Sequence, residues 1–178
     1  RSYIVAWVDP INQRMGLTSL YEGALAGTSV AYNLRNDTKV SYSITFDPGV
    51  HPTSNYVDAD DYVVGLGHIG RSVIVFGESS ITRFSADEPA QGLSSILSSK
   101  GCTAPYSIVE TSKGILFWDG EGVSLTDGTH VRSLTENRVD DLMVGANRDQ
   151  EYNYRAVYDA DEETYTLFFA HGSEVTND

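Results

Sequence analysis

The sequence is poor in cysteine, basic residues and long hydrophobic runs. Cys102 is the single cysteine among 178 residues, so no disulfide can form within the chain and stability must come from packing. The apolar runs are a few residues long, too short for a helix that crosses a bilayer. The first residues lack the basic and apolar stretches of a signal peptide. The chain stops just after a strand-like run, and we expect it to be a piece of a longer polypeptide.

The charge balance is strongly acidic. Twelve Lys and Arg residues stand against 25 Asp and Glu residues, which gives a formal net charge of −13. A surface of this kind repels phosphate, so sequence-specific binding of nucleic acids is disfavoured. The charge is consistent with solubility alone or with a surface past which DNA slides. The 40% hydrophobic and 11% aromatic content is enough for a folded core.

A pattern of strands and turns recurs every 42 residues. Val73–Phe76 aligns with Ile115–Trp118 at this spacing, and Ile81 aligns with Val123. Each copy is an apolar strand, a turn that contains glycine, a short strand and a second turn. A period near 40 to 45 residues with several strands in each unit is typical of a β-propeller blade. We therefore predict an all-β chain of four-stranded antiparallel blades.

One full unit can be followed from residue 107. Four segments are predicted to be strands, because they alternate apolar and polar residues or carry β-branched and aromatic residues. Turns that contain glycine separate several of them. The segments are Ser107–Thr111, Gly114–Trp118, Val123–Leu125 and His130–Leu134. A short helix is predicted to begin near Thr135 and continue to Met143.

The pattern also predicts the domain organisation. A looser third copy places Tyr158 over Trp118 and Tyr165 over Val123, so residues 57–178 should hold about two blades and the start of a third. Residues 1–56 do not fit the period. Their predicted strands, Tyr3–Val8, Ser29–Leu34 and Val40–Phe46, are typical of a β-sandwich-like flanking or inserted domain. A linker is expected over residues 51–61.

The candidate calcium-binding residues lie in two acidic clusters. Calcium needs six to eight oxygen ligands, and neither cluster matches the twelve-residue calcium loop, so solvated turns are the preferred interpretation. We predict no metal, cofactor or catalytic site. The residues are Asp58, Asp60 and Asp61 in the first cluster, and Asp159, Asp161, Glu162 and Glu163 in the second.

Other reactive residues show no catalytic spacing. The four histidines are scattered, which argues against zinc. A strand is predicted over Tyr62–Leu66, and the glycines of the Gly65–Gly70 stretch predict a turn between strands. Cys102 has no evident histidine base and is predicted to be a packed core thiol. Ser124–Thr129 is superficially similar to the structural Asp-box of sialidase propellers, but its Asp falls one position late and its Trp is missing.

The order of elements resembles the β-propeller tail hub or nozzle proteins of short-tailed bacteriophages. The likeness is carried by Ser72–Gly77, Gly101–Val109, Gly114–Val123 and Thr126–Gly128, and Tyr3–Val8 resembles a strand of the β-sandwich insertion in such proteins. The family's fold-level patterns cover roughly 110 residues here.

The resemblance implies a structural virion protein and no enzyme. Such proteins form a ring, typically of six copies, below the portal and its adaptor in the phage tail. They retain packaged double-stranded DNA and line its exit channel during ejection, without sequence-specific binding and without a membrane. The two acidic clusters would then lie on the channel wall or on an exposed rim. The alternatives are a propeller scaffold for protein partners and a glycan-binding or glycosidase-like propeller.

Overall fold

The computed structural model shows a chain built from antiparallel strands. It describes residues 4–9, 14–19, 39–42, 56–59, 61–85, 87, 95–98, 100–136 and 143–172. The chain is 50% strand and 11% helix, which confirms the all-β prediction, and the sheets do not close on themselves. No helix within these ranges is long and apolar enough to cross a membrane.

The strands within these ranges form three four-stranded sheets and a hairpin, each in chain order. Sheet 1 contains β1 (Ile4–Asp9), β2 (Arg14–Ser19), β3 (Lys39–Tyr42) and β4 (Tyr56–Asp58). Sheet 2 contains β5 (Val63–Ile69), β6 (Ser72–Gly77), β7 (Ile81–Ser85) and β8 (Ser95–Ser98). Sheet 3 contains β9 (Val109–Thr111), β10 (Gly114–Trp118), β11 (Val123–Thr126) and β12 (Val131–Ser133). The hairpin contains β13 (Arg155–Asp159) and β14 (Thr164–Phe168).

Sheet 1 has the same strand order as the two sheets that follow it. Its fourth strand, β4, lies within the segment predicted to be a linker. Val57 explains the difference, because it is 3% exposed and packs with Val40 against sheet 2. Burial of this apolar side chain stabilises a strand that the mostly polar composition of the segment does not predict. The predicted strand Ser29–Leu34 lies outside the described residues.

Sheets 2 and 3 share one pairing register. Phe76 lies opposite Ile81 in sheet 2, and Trp118 lies opposite Val123 in sheet 3, 42 residues later. The adjacent pairs are equivalent as well. Val75 lies opposite Thr82 in sheet 2, and Phe117 lies opposite Ser124 in sheet 3, again 42 residues later. The 42-residue repeat is therefore a repeat of backbone pairing as well as of residue type.

The core consists of layers between consecutive sheets. We call the side of a sheet that meets the following sheet its front face and the other side its back face. Alternate residues of β6 divide between the two: Val73 and Val75 pack back against sheet 1, whereas Ile74 and Phe76 pack forward against sheet 3. Strand β10 repeats this division one unit later. Both strands are buried on both faces, as internal layers require.

The third copy is shifted from its predicted alignment. Tyr158 does not repeat the position of Trp118; it packs against the same core cluster from the opposite side, on the back face of the hairpin. Tyr165 and Leu167 also face the preceding sheet, sheet 3, in the same way that Ile115 of sheet 3 faces sheet 2. The spacing from sheet 3 to the hairpin is thus 50 residues, from Ile115 to Tyr165. The longer connection contains a 3₁₀ segment, Arg148–Asn153, where the described part of the preceding connection has the shorter segment Pro105–Ser107.

The glycine-rich stretch predicted to be a turn is part of β5. The turn itself is limited to Gly70 and Arg71, where Gly70 has a left-handed φ of 59°. Gly65 and Gly67 lie inside the strand, and a Cβ added to them would come within 2.3 Å of Ile108 and 2.6 Å of Ile115. These glycines are therefore explained by the close approach of sheet 3 rather than by a turn.

The predicted elements around sheet 3 are shorter than expected. The first strand begins at Val109 because Pro105–Ser107 forms a 3₁₀ turn ahead of it. Proline fixes φ and lacks an amide donor, so it favours this turn over a ladder position. Most of the predicted helix to Met143 lies outside the described residues.

Candidate functional site

The first acidic cluster lies beside the turn between β6 and β7. One carboxylate oxygen of Asp61, Oδ2, accepts hydrogen bonds from the backbone N–H of Ser79 and the hydroxyl of Ser80, both at 2.9 Å. Asp58 is exposed at the end of β4. Asp60 lies outside the described residues. Asp61 therefore holds a turn together, which uses lone pairs that a bound cation would need.

The second acidic cluster forms the tip of the hairpin. Asp159 Oδ1 accepts the backbone N–H groups of Asp161 at 2.9 Å and Glu162 at 3.2 Å. Glu163 has a left-handed φ of 50° and forms an ion pair with Lys113. This contact holds the pKa of Lys113 above its usual value, and the hydrogen bond to Glu163 is the largest cause. Asp161 and Glu162 remain exposed.

The structure does not bring the two clusters together. Asp61 contacts the turn after β6, whereas Glu163 contacts the turn before β10. Sheets 2 and 3 repeat the same strand order, so these turns lie at opposite ends of the strands. The described residues of the two clusters therefore lie in separate groups, and their predicted place on a channel wall or rim stays a prediction. Within the part of the chain that the structure describes, no three His, Cys, Asp or Glu side chains are grouped to hold a metal ion.

A third carboxylate lies buried in the turn between β10 and β11. The Asp119 side chain is 1% exposed and accepts hydrogen bonds from the backbone of Glu121 and Gly122 and from the hydroxyl of Ser124, at 2.7 to 2.9 Å. The Lys100 ammonium lies 3.7 Å from it. A buried carboxylate must be compensated in this way, so Asp119 is a structural residue. Asp159 begins the hairpin turn with the same Asp-to-backbone pattern.

The opposite end of sheets 2 and 3 carries a polar groove. The Glu110 Oε1 atom accepts the backbone N–H of His68 at 2.8 Å and lies 2.9 Å from its ring nitrogen Nδ1. The groove has a volume of about 450 Å³, and its lining includes Ser112, Lys113 and Asp127. His68 and Glu110 are 42 residues apart and therefore occupy equivalent positions in neighbouring sheets. The 42-residue repeat spacing is the sequence signal for this pair, and it predicts the contact only if equivalent residues of adjacent sheets are neighbours.

The Asp-box-like segment forms a turn at the same end. Asp127 Oδ1 accepts bonds from the Thr129 hydroxyl at 2.7 Å and from the backbone N–H groups of His130 and Thr129 at 2.8 Å. These bonds hold the pKa of Asp127 well below its usual value, with the Thr129 hydroxyl the largest contributor. The motif's carboxylate thus closes the β11–β12 turn, where Gly128 has a φ of 90°.

Cys102 is a buried thiol, as predicted. Its side chain is inaccessible to solvent and packs among the residues between sheets 2 and 3, and its Sγ lies 3.4 Å from the carbonyl oxygen of Ala104. Burial raises the pKa of Cys102 to about 12. A nucleophilic cysteine requires a thiolate, which this environment disfavours.

An apolar groove separates sheet 3 from the hairpin. Its volume is about 360 Å³, and its lining includes charged side chains. Tyr165 crosses between the layers and donates a 2.8 Å hydrogen bond to the carbonyl of Ser107, and burial raises its pKa. The apolar and aromatic lining residues are Leu116, Val123, Leu125, Leu134, Tyr158 and Tyr165, and the polar and charged ones are Thr111, Lys113, Arg132, Thr135 and Glu163.

Comparison with protein-family models gives no match to this chain. Comparison with curated protein sequences gives no significant match either.

Proposed function

We propose that the chain is a structural component of a bacteriophage tail hub or nozzle, in which its sheets are blades of a β-propeller. One observation carries the proposal: β1 contacts β5, β5 contacts β9, and β9 contacts β13. These are the first strands of consecutive units. In a propeller the blades radiate from a central channel, and the corresponding edge strands of adjacent blades lie next to one another.

The repeated sheet-to-sheet packing supports this reading over a β-sandwich. A sandwich has two inner faces and two solvated faces. Here β6 and β10 are buried on both sides, because each sheet packs between two neighbours. Serial packing of equivalent sheets with one repeated contact is the arrangement that radial repetition requires.

The proposed role is to retain packaged DNA and to guide it during ejection, as part of a hexameric ring in contact with the portal, its adaptor and other tail proteins. The net charge of −13 suits this role, because an acidic surface repels the DNA backbone and prevents sticking. Asp161 and Glu162 are exposed at the hairpin tip and are the carboxylates that we assign to this role.

Charge reversal in assembled phage tests the proposal. The double variant Asp161→Lys/Glu162→Lys should slow DNA ejection, with the larger effect at low salt where screening is weak. The neutral variant Asp161→Asn/Glu162→Gln serves as the matched control and should change ejection less. Equal ejection rates at every ionic strength would overturn the electrostatic role.

The location of the protein in the virion is tested by a separate measurement. Antibody labelling and mass spectrometry of purified virions should find the protein in the tail. Its absence from purified particles would overturn the virion assignment, whatever the ejection rates show.

A further inference from the structure

The polar groove between sheets 2 and 3 holds a histidine whose ring is oriented by a carboxylate. Glu110 Oε1 lies 2.9 Å from His68 Nδ1 and accepts the backbone N–H of the same residue at 2.8 Å. An ionised carboxylate accepts hydrogen bonds and cannot donate them, so the ring contact places a proton on Nδ1. In the neutral ring the lone pair is then on Nε2, which has no hydrogen-bond partner among the residues that the structure describes. His68 thus presents a base in a fixed tautomer.

The pair is held by regular structure on both sides. His68 lies in β5 and Glu110 in β9, the first strands of two consecutive sheets, and these strands contact each other. The β11–β12 turn, which supplies Asp127 to the groove, is held against sheet 2 by a second bond. Arg83 of β7 donates this 2.7 Å hydrogen bond to the carbonyl of Gly128. A site supported by strands and such contacts keeps its geometry better than a site on free loops.

The groove has room for a small substrate beside the imidazole. The His68 side chain is 61% exposed, and the groove volume of about 450 Å³ is in the range of small-molecule pockets. Lys113 also lines the groove. Its ion pair with Glu163 holds its pKa above the usual value, so the ammonium is charged at neutral pH. A cation in this position can stabilise negative charge that develops on a substrate oxygen.

The charges of the groove restrict the class of substrate. The charged residues of its lining besides His68 are Glu110, Lys113 and Asp127, and the charge of Lys113 is balanced by Glu163. Asp127 stays ionised at neutral pH, because hydrogen bonds from Thr129 and from the backbone lower its pKa. The groove is therefore net negative and repels anions. An uncharged substrate is favoured.

We propose that His68 is the general base of a hydrolytic site for small uncharged carboxylic esters. Its Nε2 atom takes a proton from a water molecule as the water oxygen attacks the ester carbonyl carbon. Lys113 is the cation available to the oxyanion that forms. When the tetrahedral intermediate collapses, the bond to the alkoxide oxygen breaks and the proton on Nε2 passes to that oxygen. The products are a carboxylic acid and an alcohol, and the imidazole returns to its starting state.

Glu110 is a positioning residue in this proposal, because it acts through the His68 ring. The site is formed by sheets 2 and 3 alone, and the proposal is independent of the virion role. It assigns an activity where the sequence predicted no catalytic residue.

Titration of the acid released from ethyl acetate at constant pH tests the base. An unactivated ester is needed, because exposed side chains attack activated phenyl esters directly. The 178-residue chain should release many equivalents of acid at a steady rate. His68→Ala should lower kcat/KM about a hundredfold or more, since general-base catalysis typically contributes this much. His130→Ala is the matched control and should leave the rate unchanged, because this exposed histidine lies outside the groove lining.

Glu110→Gln separates positioning from a purely structural role. The amide oxygen can still accept the backbone N–H of His68, so circular dichroism should show the native fold. The charge that favours the Nδ1 proton is lost, and kcat should fall about tenfold or more with little change in KM. Added imidazole should restore part of the activity of His68→Ala. Acid release by the wild type at the spontaneous rate, equal activity of His68→Ala and wild type, or an equal loss in His130→Ala would overturn the proposal.

Discussion

His68 and Glu110 occupy equivalent positions in consecutive sheets, and the Glu110 carboxylate joins the sheets by accepting the backbone N–H of His68 at 2.8 Å. The contact is possible because the neighbouring residue in β5 is Gly67, whose backbone approaches sheet 3 closely. A Cβ at Gly67 would lie 3.3 Å from Glu110 Oε1 and 2.6 Å from Ile115 Cδ1. The lack of a side chain at Gly67 therefore allows sheets 2 and 3 to approach this closely.

The first prediction concerns this close approach. Gly67→Ala should lower the free energy of unfolding by about 1 to 3 kcal/mol, because the new methyl group overpacks the layer between sheets 2 and 3. Ile115→Val removes the Cδ1 atom that the methyl group would meet. The double variant should therefore be less destabilised than the sum of the two single variants. Urea unfolding measures all three, and strict additivity would show that the two residues do not compete for the same space.

The second prediction compares two turn carboxylates. Asp119→Ala should destabilise the protein by about 2 to 3 kcal/mol, because buried backbone and hydroxyl donors lose their acceptor. Asp159→Ala removes a similar cap from an exposed turn and should cost about 1 kcal/mol or less, since water can replace the carboxylate. Thermal or urea unfolding gives both values. Equal costs would contradict the burial assigned to Asp119.

The third prediction concerns thiol reactivity. Cys102 is buried and its pKa is raised to about 12, so the protonated thiol persists through pH 7 to 9. In the native protein it should react with a disulfide reagent on the order of a hundredfold more slowly than in guanidinium chloride. The absorbance of the released thiolate reports the rate. Rapid stoichiometric labelling of native protein would place Cys102 at the surface instead.

The fourth prediction is a pH dependence from Asp127. Its pKa is lowered in the folded state, so its contribution to stability is present above the unfolded value of about 3.9 and is lost as the pH falls towards the folded value. The stability difference between wild type and Asp127→Ala should stay constant from about pH 7 to pH 5 and shrink at about pH 3. Urea unfolding at these pH values measures the difference. Asp161→Ala at another exposed tip is the control, and a difference that grows on acidification would contradict the assignment.

The strands that the sequence revealed were those with a strong local pattern. The register of Trp118 with Val123 follows from tight Asp-Gly turns and apolar alternation, both of which are local. Strand β4 was missed because its burial depends on Val40, which is distant in the chain and pairs with Val57 in the sheet. Gly67 is predicted to lie in a turn and not in β5, because glycine in a strand and glycine in a turn look the same until the neighbouring sheet is known.

The candidate site was less predictable than the fold. Acidic residues at hairpin tips could be found from composition, but their placement at opposite ends depends on strand direction and on contacts such as that between Lys113 and Glu163. The His68–Glu110 contact follows from the repeat only if equivalent residues of adjacent sheets are neighbours. The alignment of Tyr158 with Trp118 failed because the connection after sheet 3 is longer than the period.

Electron cryo-microscopy of the protein in its natural assembly tests the central claim most directly. If the sheets are propeller blades, Phe76 and Trp118 should be related by the rotation between successive blades about one axis. The first strands β1, β5, β9 and β13 should then lie nearest that axis, around a central channel. A map in which the sheets stack without a common axis, or in which these strands lie at the outer edge, would contradict the account.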